Sequence, residues 1–291
     1  MNLQPPSTLL MGAPGSGKTT AIATLGLPAL PSVPPLDVFV LFTEPNGPDA
    51  LIDAVKMHGA SIENFHWHTV APVTPGWNAL EEMATVVRAQ SYEDISKIKQ
   101  GVGKLQMMQY MELLRSIQNF PCDRTGQKYG DVTNWSEDRA FCFDGLSGLN
   151  MISMAQTVGF KPSAHQGEWG IAMNLEEQLI HKITSDRMCF FTLMAHVDKE
   201  LEEISGRTLI TPGALGRKLG PRLGRMFSEV VYAKRGGDAA FTWSTTDSMA
   251  DLKNRALPVA AGLKPDFRPI VEAHLRRKAE IQPRLTSVVV E

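Results

Sequence analysis

The chain has 291 residues, 43% of them hydrophobic, enough to bury one large core or one core with a small appendage. Its 29 basic residues stand against 31 acidic ones, a net charge of −2, which excludes a global field that draws it to nucleic acid or anionic membrane. Any polyanion site must be a local patch. Three cysteines, Cys122, Cys142 and Cys189, lack CxxC spacing, which argues against a disulfide framework and a cysteine-built zinc site and fits a reducing cytoplasm. The opening MNLQPPSTLLMG has no basic leader region, and its apolar run falls far short of the roughly 20 residues of a membrane span, so no membrane association is expected.

In chain order, the apolar run Ser7 to Gly12 predicts a strand, followed by a glycine-rich loop and a helix over Lys18 to Leu25. Prolines 28, 31, 34 and 35 end that helix, and Asp37 to Thr43 predicts a buried strand that stops at the turn signal Glu44-Pro-Asn-Gly. A helix is expected over Pro48 to Met57 and a short strand over Phe65 to Val70. From Trp77 to Phe120 the composition predicts two or more helices around a hinge near Gly101 and Gly103, a helical insertion of about 75–120. Arg139 to Leu149 contains a second buried strand ending at Asp144, Glu168 to Ile183 has helical spacing, and Met188 to Ala195 is a third buried strand. Glu229 to Ala233 and Ala240 to Ser244 flank Arg235-Gly-Gly-Asp238, a hairpin signal. Strands alternating with helices imply an α/β fold with a mainly parallel sheet and an antiparallel edge hairpin. Residues 1–262 are expected to form the core and 263–291 a C-terminal tail.

The run Gly12-Ala-Pro14-Gly15-Ser16-Gly17-Lys18-Thr19 fits GxxxxGK[ST], a Walker A loop that binds ATP with Mg2+. Its glycines let backbone amides turn inward onto phosphate oxygens, Lys18 adds charge, and Thr19, followed by Thr20, opens the helix with a hydroxyl for magnesium. Asp144, ending its apolar strand, stands where a Walker B aspartate would hold the metal. Glu44, at the end of the next strand after the loop, could orient and deprotonate a water, or be a solvated turn glutamate. His196 ends the third buried strand and could sense phosphate and relay its state to the following loop, or be an ordinary histidine. His66 and His68 share one side of a strand without an evident third ligand and are read as structural.

Between Arg207 and Arg235, Arg217, Lys218, Arg222, Arg225 and Lys234 face a single acid, Glu229, with glycines interspersed. Such a mobile basic stretch suits a DNA backbone, or is a solvated charged face; it lacks aromatic residues for base stacking. Lys253 and Arg255 form a Lys-x-Arg pair after the hairpin that could reach a neighbouring subunit's nucleotide.

Taken in order (Walker A, Glu44, Asp144, His196, basic loop, hairpin with Lys-x-Arg), these features resemble the RecA/DnaB superfamily over roughly residues 7 to 262. The segments Cys122-Asp-Arg-Thr-Gly, Asp138 to Leu149, Gln166-Gly-Glu-Trp-Gly170 and Leu215-Gly-Arg-Lys-Leu219 are similar to a bacteriophage group of RecA-like P-loop ATPases that includes single-strand annealing proteins of the Sak-four type. The resemblance implies a RecA-like core, an ATPase active site shared between subunits of a ring or filament, ATP-dependent single-stranded DNA binding in phage recombination, and work alongside a single-stranded DNA-binding protein. Two departures argue against full strand exchange: His196 replaces an amide sensor, and no polymerising domain precedes the loop. A DnaB-like ring helicase or translocase, a nucleotide-gated protein-assembly factor and a small-molecule kinase are the rival readings.

Overall fold

The computed structural model describes residues 3–99, 101, 103–104, 107–201, 206, 208–237 and 240–288, the last seven by their backbone. Arg207 of the expected basic stretch, Asp238 of the expected hairpin turn and residues 289–291 of the expected tail lie outside the described residues.

Six parallel strands and one antiparallel edge strand form the main sheet. They are β1 (Ser7–Gly12), β2 (Asp37–Phe42), β3 (Phe65–Thr69), β4 (Arg139–Asp144), β5 (Phe190–Ala195), β8 (Glu229–Arg235) and β9 (Phe241–Ser244), in the order β3-β2-β4-β5-β1-β8-β9. Only β9 runs antiparallel, to β8. A second, two-stranded antiparallel sheet pairs β6 (Val197–Leu201) with β7 (Thr208–Pro212).

The continuous apolar runs of β1, β2, β4 and β5 follow from burial on both faces, because successive side chains point to opposite sides of a strand. Leu9, Phe39, Phe141 and Phe191 enter one core, against α5 (Gln109–Gln118), α6 (Leu146–Val158), α7 (Gln166–Asp186) and α8 (Gly216–Leu223). Their neighbours Leu10, Val38, Ala140 and Phe190 enter the other, against α1 (Lys18–Ile22), α2 (Gly47–His58) and α9 (Arg268–Val288). Phe39 is fully buried and packs on Phe120, Tyr129 and Trp135, so Phe39→Ala would cost about 3–5 kcal/mol.

Two expectations change. The helix after the loop keeps α geometry only to Ile22 and continues as a 3-10 turn over Ala23–Gly26. The basic stretch is not a mobile loop: Arg217, Lys218 and Arg222 lie on α8, whose Leu219 and Leu223 are buried, and β7 precedes it. In the expected C-terminal tail, Phe267, Ile270 and Val271 are buried in the second core and His274 contacts Glu137. Within the helical insertion, α3 (Trp77–Ala89) buries no residue, and α4 (Tyr92–Ser96) buries Ile95. His66 stacks on Phe39, while His68 pairs with Asp123 at 2.7 Å.

Candidate functional site

Because β1, β2, β4 and β5 are parallel, their carboxyl ends open on one edge of the sheet, where ligands of open α/β folds bind. The register sets Met11 beside Ala195 and Phe42 beside Asp144, so the residues that follow these strands converge.

The loop after β1 turns through Gly15 and Gly17, at φ 71° and 80°, a left-handed conformation that L side chains rarely adopt. A β-carbon on Gly17 would also lie 2.6 Å from the Phe241 ring. The Ser16 amide donates to the Ala13 carbonyl at 3.2 Å, while the Ser16 hydroxyl is buried without a partner among the described residues. Lys18 folds back under the loop: its ammonium donates to the carbonyls of Gly12 (2.8 Å) and Ala13 (3.0 Å) and lies 3.3 Å from His196 Nδ1. Burial pulls its pKa below the ordinary lysine value, opposed by the charges of Asp144 and Glu44.

Thr19 Oγ1 donates to Asp144 Oδ2 at 2.7 Å. Burial raises the Asp144 pKa; the Thr19 hydrogen bond opposes that rise and the Glu44 charge adds to it. Glu44 is half-exposed, with Oε1 3.6 Å from His196 Nε2. His196 thus stands between the Lys18 ammonium and the Glu44 carboxylate. Its backbone carbonyl accepts the Gly213 amide at 2.8 Å, three residues before α8 begins.

Pro14, Gly15, Ser16, Gly17, Lys18, Thr19 and Thr20 join Glu44, Asp144 and His196 around a cleft of about 400 Å³. Arg235 and Phe241, which the sequence reading leaves out of the site, line it as well. Gly12 pairs with Ala233, so Arg235 two residues later stands beside the loop, and the antiparallel return brings Phe241 opposite it. The guanidinium lies over the ring at 5.7 Å. The hairpin signal located this turn, but only the strand order sets it against β1.

The remaining candidates lie elsewhere. Lys253 and Arg255 sit at the opposite, amino edge, where Lys253 pairs with Val230 and its ammonium donates to the Phe227 carbonyl at 2.6 Å. Val230 is three residues from Ala233 along β8, roughly 10 Å, so within one chain the pair is remote from the loop. Arg217, Lys218, Arg222 and Arg225 are exposed and pair with no carboxylate among the described residues.

Comparison with models of known families gives no match for the chain, and comparison with curated proteins gives none either.

Proposed function

We propose that the chain is a magnesium-dependent P-loop ATPase with a RecA-like core, which couples its nucleotide state to grip on single-stranded DNA, in the manner of the annealing proteins it resembles. The observation that carries this is the convergence of Lys18, Thr19, Asp144, Glu44 and His196 on one cleft behind a loop with two left-handed glycines. The residues fit a nucleotide and its metal. The loop has no β-carbon at Gly15 or Gly17 to obstruct a phosphate, and a hydroxyl and a carboxylate already in hydrogen-bond contact offer two hard oxygen ligands.

Thr19 and Asp144 would hold magnesium, which supplies charge neutralisation at phosphate oxygens. Lys18 would exchange two carbonyl acceptors for phosphate oxygens, a stronger charge-assisted bond. Arg235 adds a second cation from the same chain, and Phe241 holds the loop from above. Glu44, the exposed carboxylate of the cleft, orients a water and accepts its proton, while His196 fixes the spacing between Glu44 and Lys18. Lys253 and Arg255, remote from the cleft in their own chain, act on the nucleotide of a neighbouring copy in a homo-oligomer.

The link to DNA runs through the His196 carbonyl and Gly213 to α8, whose exposed face carries Arg217, Lys218 and Arg222, with Arg225 following. These cations, which pair with no carboxylate among the described residues, suit backbone phosphates. A single-stranded DNA-binding protein is the expected companion.

One observation favours a second reading, a nucleotide-gated assembly factor: α3 exposes Trp77, Leu80 and Val87 on one side, with Trp77 83% exposed. Steady-state ATP hydrolysis tests the primary reading. Glu44→Gln is expected to lose about 10²-fold or more in turnover while still binding ATP, the scale of removing a positioned base. Turnover at the wild-type rate would remove Glu44 from the chemistry.

A further inference from the structure

At the amino edge of the sheet, away from the P-loop, lies a second cavity of about 340 Å³. Arg187 lines it and is only 2% exposed. Its guanidinium donates through Nη1 to the carbonyls of Pro5 (2.8 Å) and Cys189 (3.1 Å), and leaves Nε buried without a partner among the described residues. No carboxylate pairs with it among the described residues. A guanidinium keeps its charge at neutral pH, and a buried charge with no counterion is costly to the fold.

Four more cations line the cavity from exposed positions: Arg225, Lys253, Arg255 and Arg277. Against these five stands one acid, Glu229, itself fully buried. Its Oε1 accepts the amides of Arg255 (2.9 Å) and Ala256 (2.7 Å), and its Oε2 has no partner among the described residues. Burial raises the Glu229 pKa, which further weakens it as a counterion. The cavity therefore presents forked donors around a buried cation with little negative charge to balance them.

We propose that this cavity is a second anion site that takes a phosphoryl group, with Arg187 at its base and Arg225, Arg255 and Arg277 closing on it from the rim. Guanidinium forks match the oxygens of phosphate, and a terminal phosphoryl group can enter end-on to meet a buried donor. The site is complete within one chain and uses no P-loop residue; Lys253 and Arg255 also belong to the trans role proposed above, so the test is placed on Arg187 and Arg277, which the ATPase reading does not use.

Calorimetric titration of pyrophosphate into the full chain carrying Lys18→Ala, which disables the P-loop, tests it. Saturable binding is expected, weakened at least about ten-fold by adding Arg277→Glu, the loss of one charge-assisted contact. Arg187→Lys, which keeps the charge but not the fork, should weaken it likewise; if that variant does not fold, the exposed Arg277→Glu still decides. Absence of binding in the Lys18→Ala chain, or binding indifferent to Arg277→Glu, would overturn the proposal. Competition identifies the source of the phosphoryl group: displacement by a 5′-phosphorylated oligonucleotide but not by its 5′-hydroxyl form assigns a strand end, and displacement by neither assigns a free phosphate anion.

Discussion

Burial raises the pKa of Asp144 while its Oδ2 accepts the Thr19 hydroxyl, so folding disfavours the ionised form of this carboxyl. With the folded pKa above the unfolded one, this group's contribution to stability is full at acid pH and is lost as pH rises through the folded value. Asp144→Asn should therefore raise the melting temperature at pH 7 without ligand, while reducing hydrolysis by about 10²-fold or more. A lower melting temperature at that pH would contradict the sign. At this scale the sequence exposes much of the cleft's lining, because the glycine spacing of the loop and strand-end carboxylates are local patterns. Arg235 and Phe241 are hidden because their place depends on which strand lies beside β1, a long-range pairing that no local pattern specifies.

Among the elements, the buried parallel strands are legible because burial on both faces demands uninterrupted apolar runs, as in Val38 to Phe42. The hairpin of β6 and β7 is not, since Val197–Leu201 reads VDKEL and is largely exposed. Helix α8 is obscured for another reason: Gly216, Gly220 and Pro221 are poor helix formers, and burial of Leu219 and Leu223 overrides propensity. Its basic face yields a measurable expectation. Reversing Arg217 and Lys218 to Glu should weaken single-stranded DNA binding and lower the slope of log affinity against log salt by about one per lost phosphate contact. An unchanged slope would take α8 out of the interface.

Beneath α8, Glu176 of α7 is fully buried, and neither carboxyl oxygen has a hydrogen-bond partner among the described residues. Burial pushes its pKa up to about 8, only partly offset by the nearby Leu215 amide. The folded value lies above the unfolded one, so its stabilising effect holds below about 4.5 and is lost as pH rises through about 8. Glu176→Gln should flatten stability across that window, a difference on the order of 4 kcal/mol at the alkaline end. Denaturant titrations of both proteins at pH 5 and pH 9 measure it, and parallel pH dependence would contradict the buried, protonated state.

For the whole molecule, the sheet separates the cleft at the carboxyl edge, where Lys18 and Arg235 face Glu44 and Asp144, from the basic Arg187 cavity with Lys253 and Arg255 at the amino edge. A homo-oligomer that sets the amino edge of one copy against the cleft of the next would complete a shared active site. Among the described residues no helix is long and apolar enough to cross a membrane. The direct test of the central proposal is calorimetric titration of ATP with magnesium into the wild-type chain and into Lys18→Ala. Saturable binding to the wild type, weakened about ten- to a hundred-fold in the variant by loss of a charged hydrogen bond, is the expected result. Failure of the wild type to bind, or equal binding by both, would contradict it.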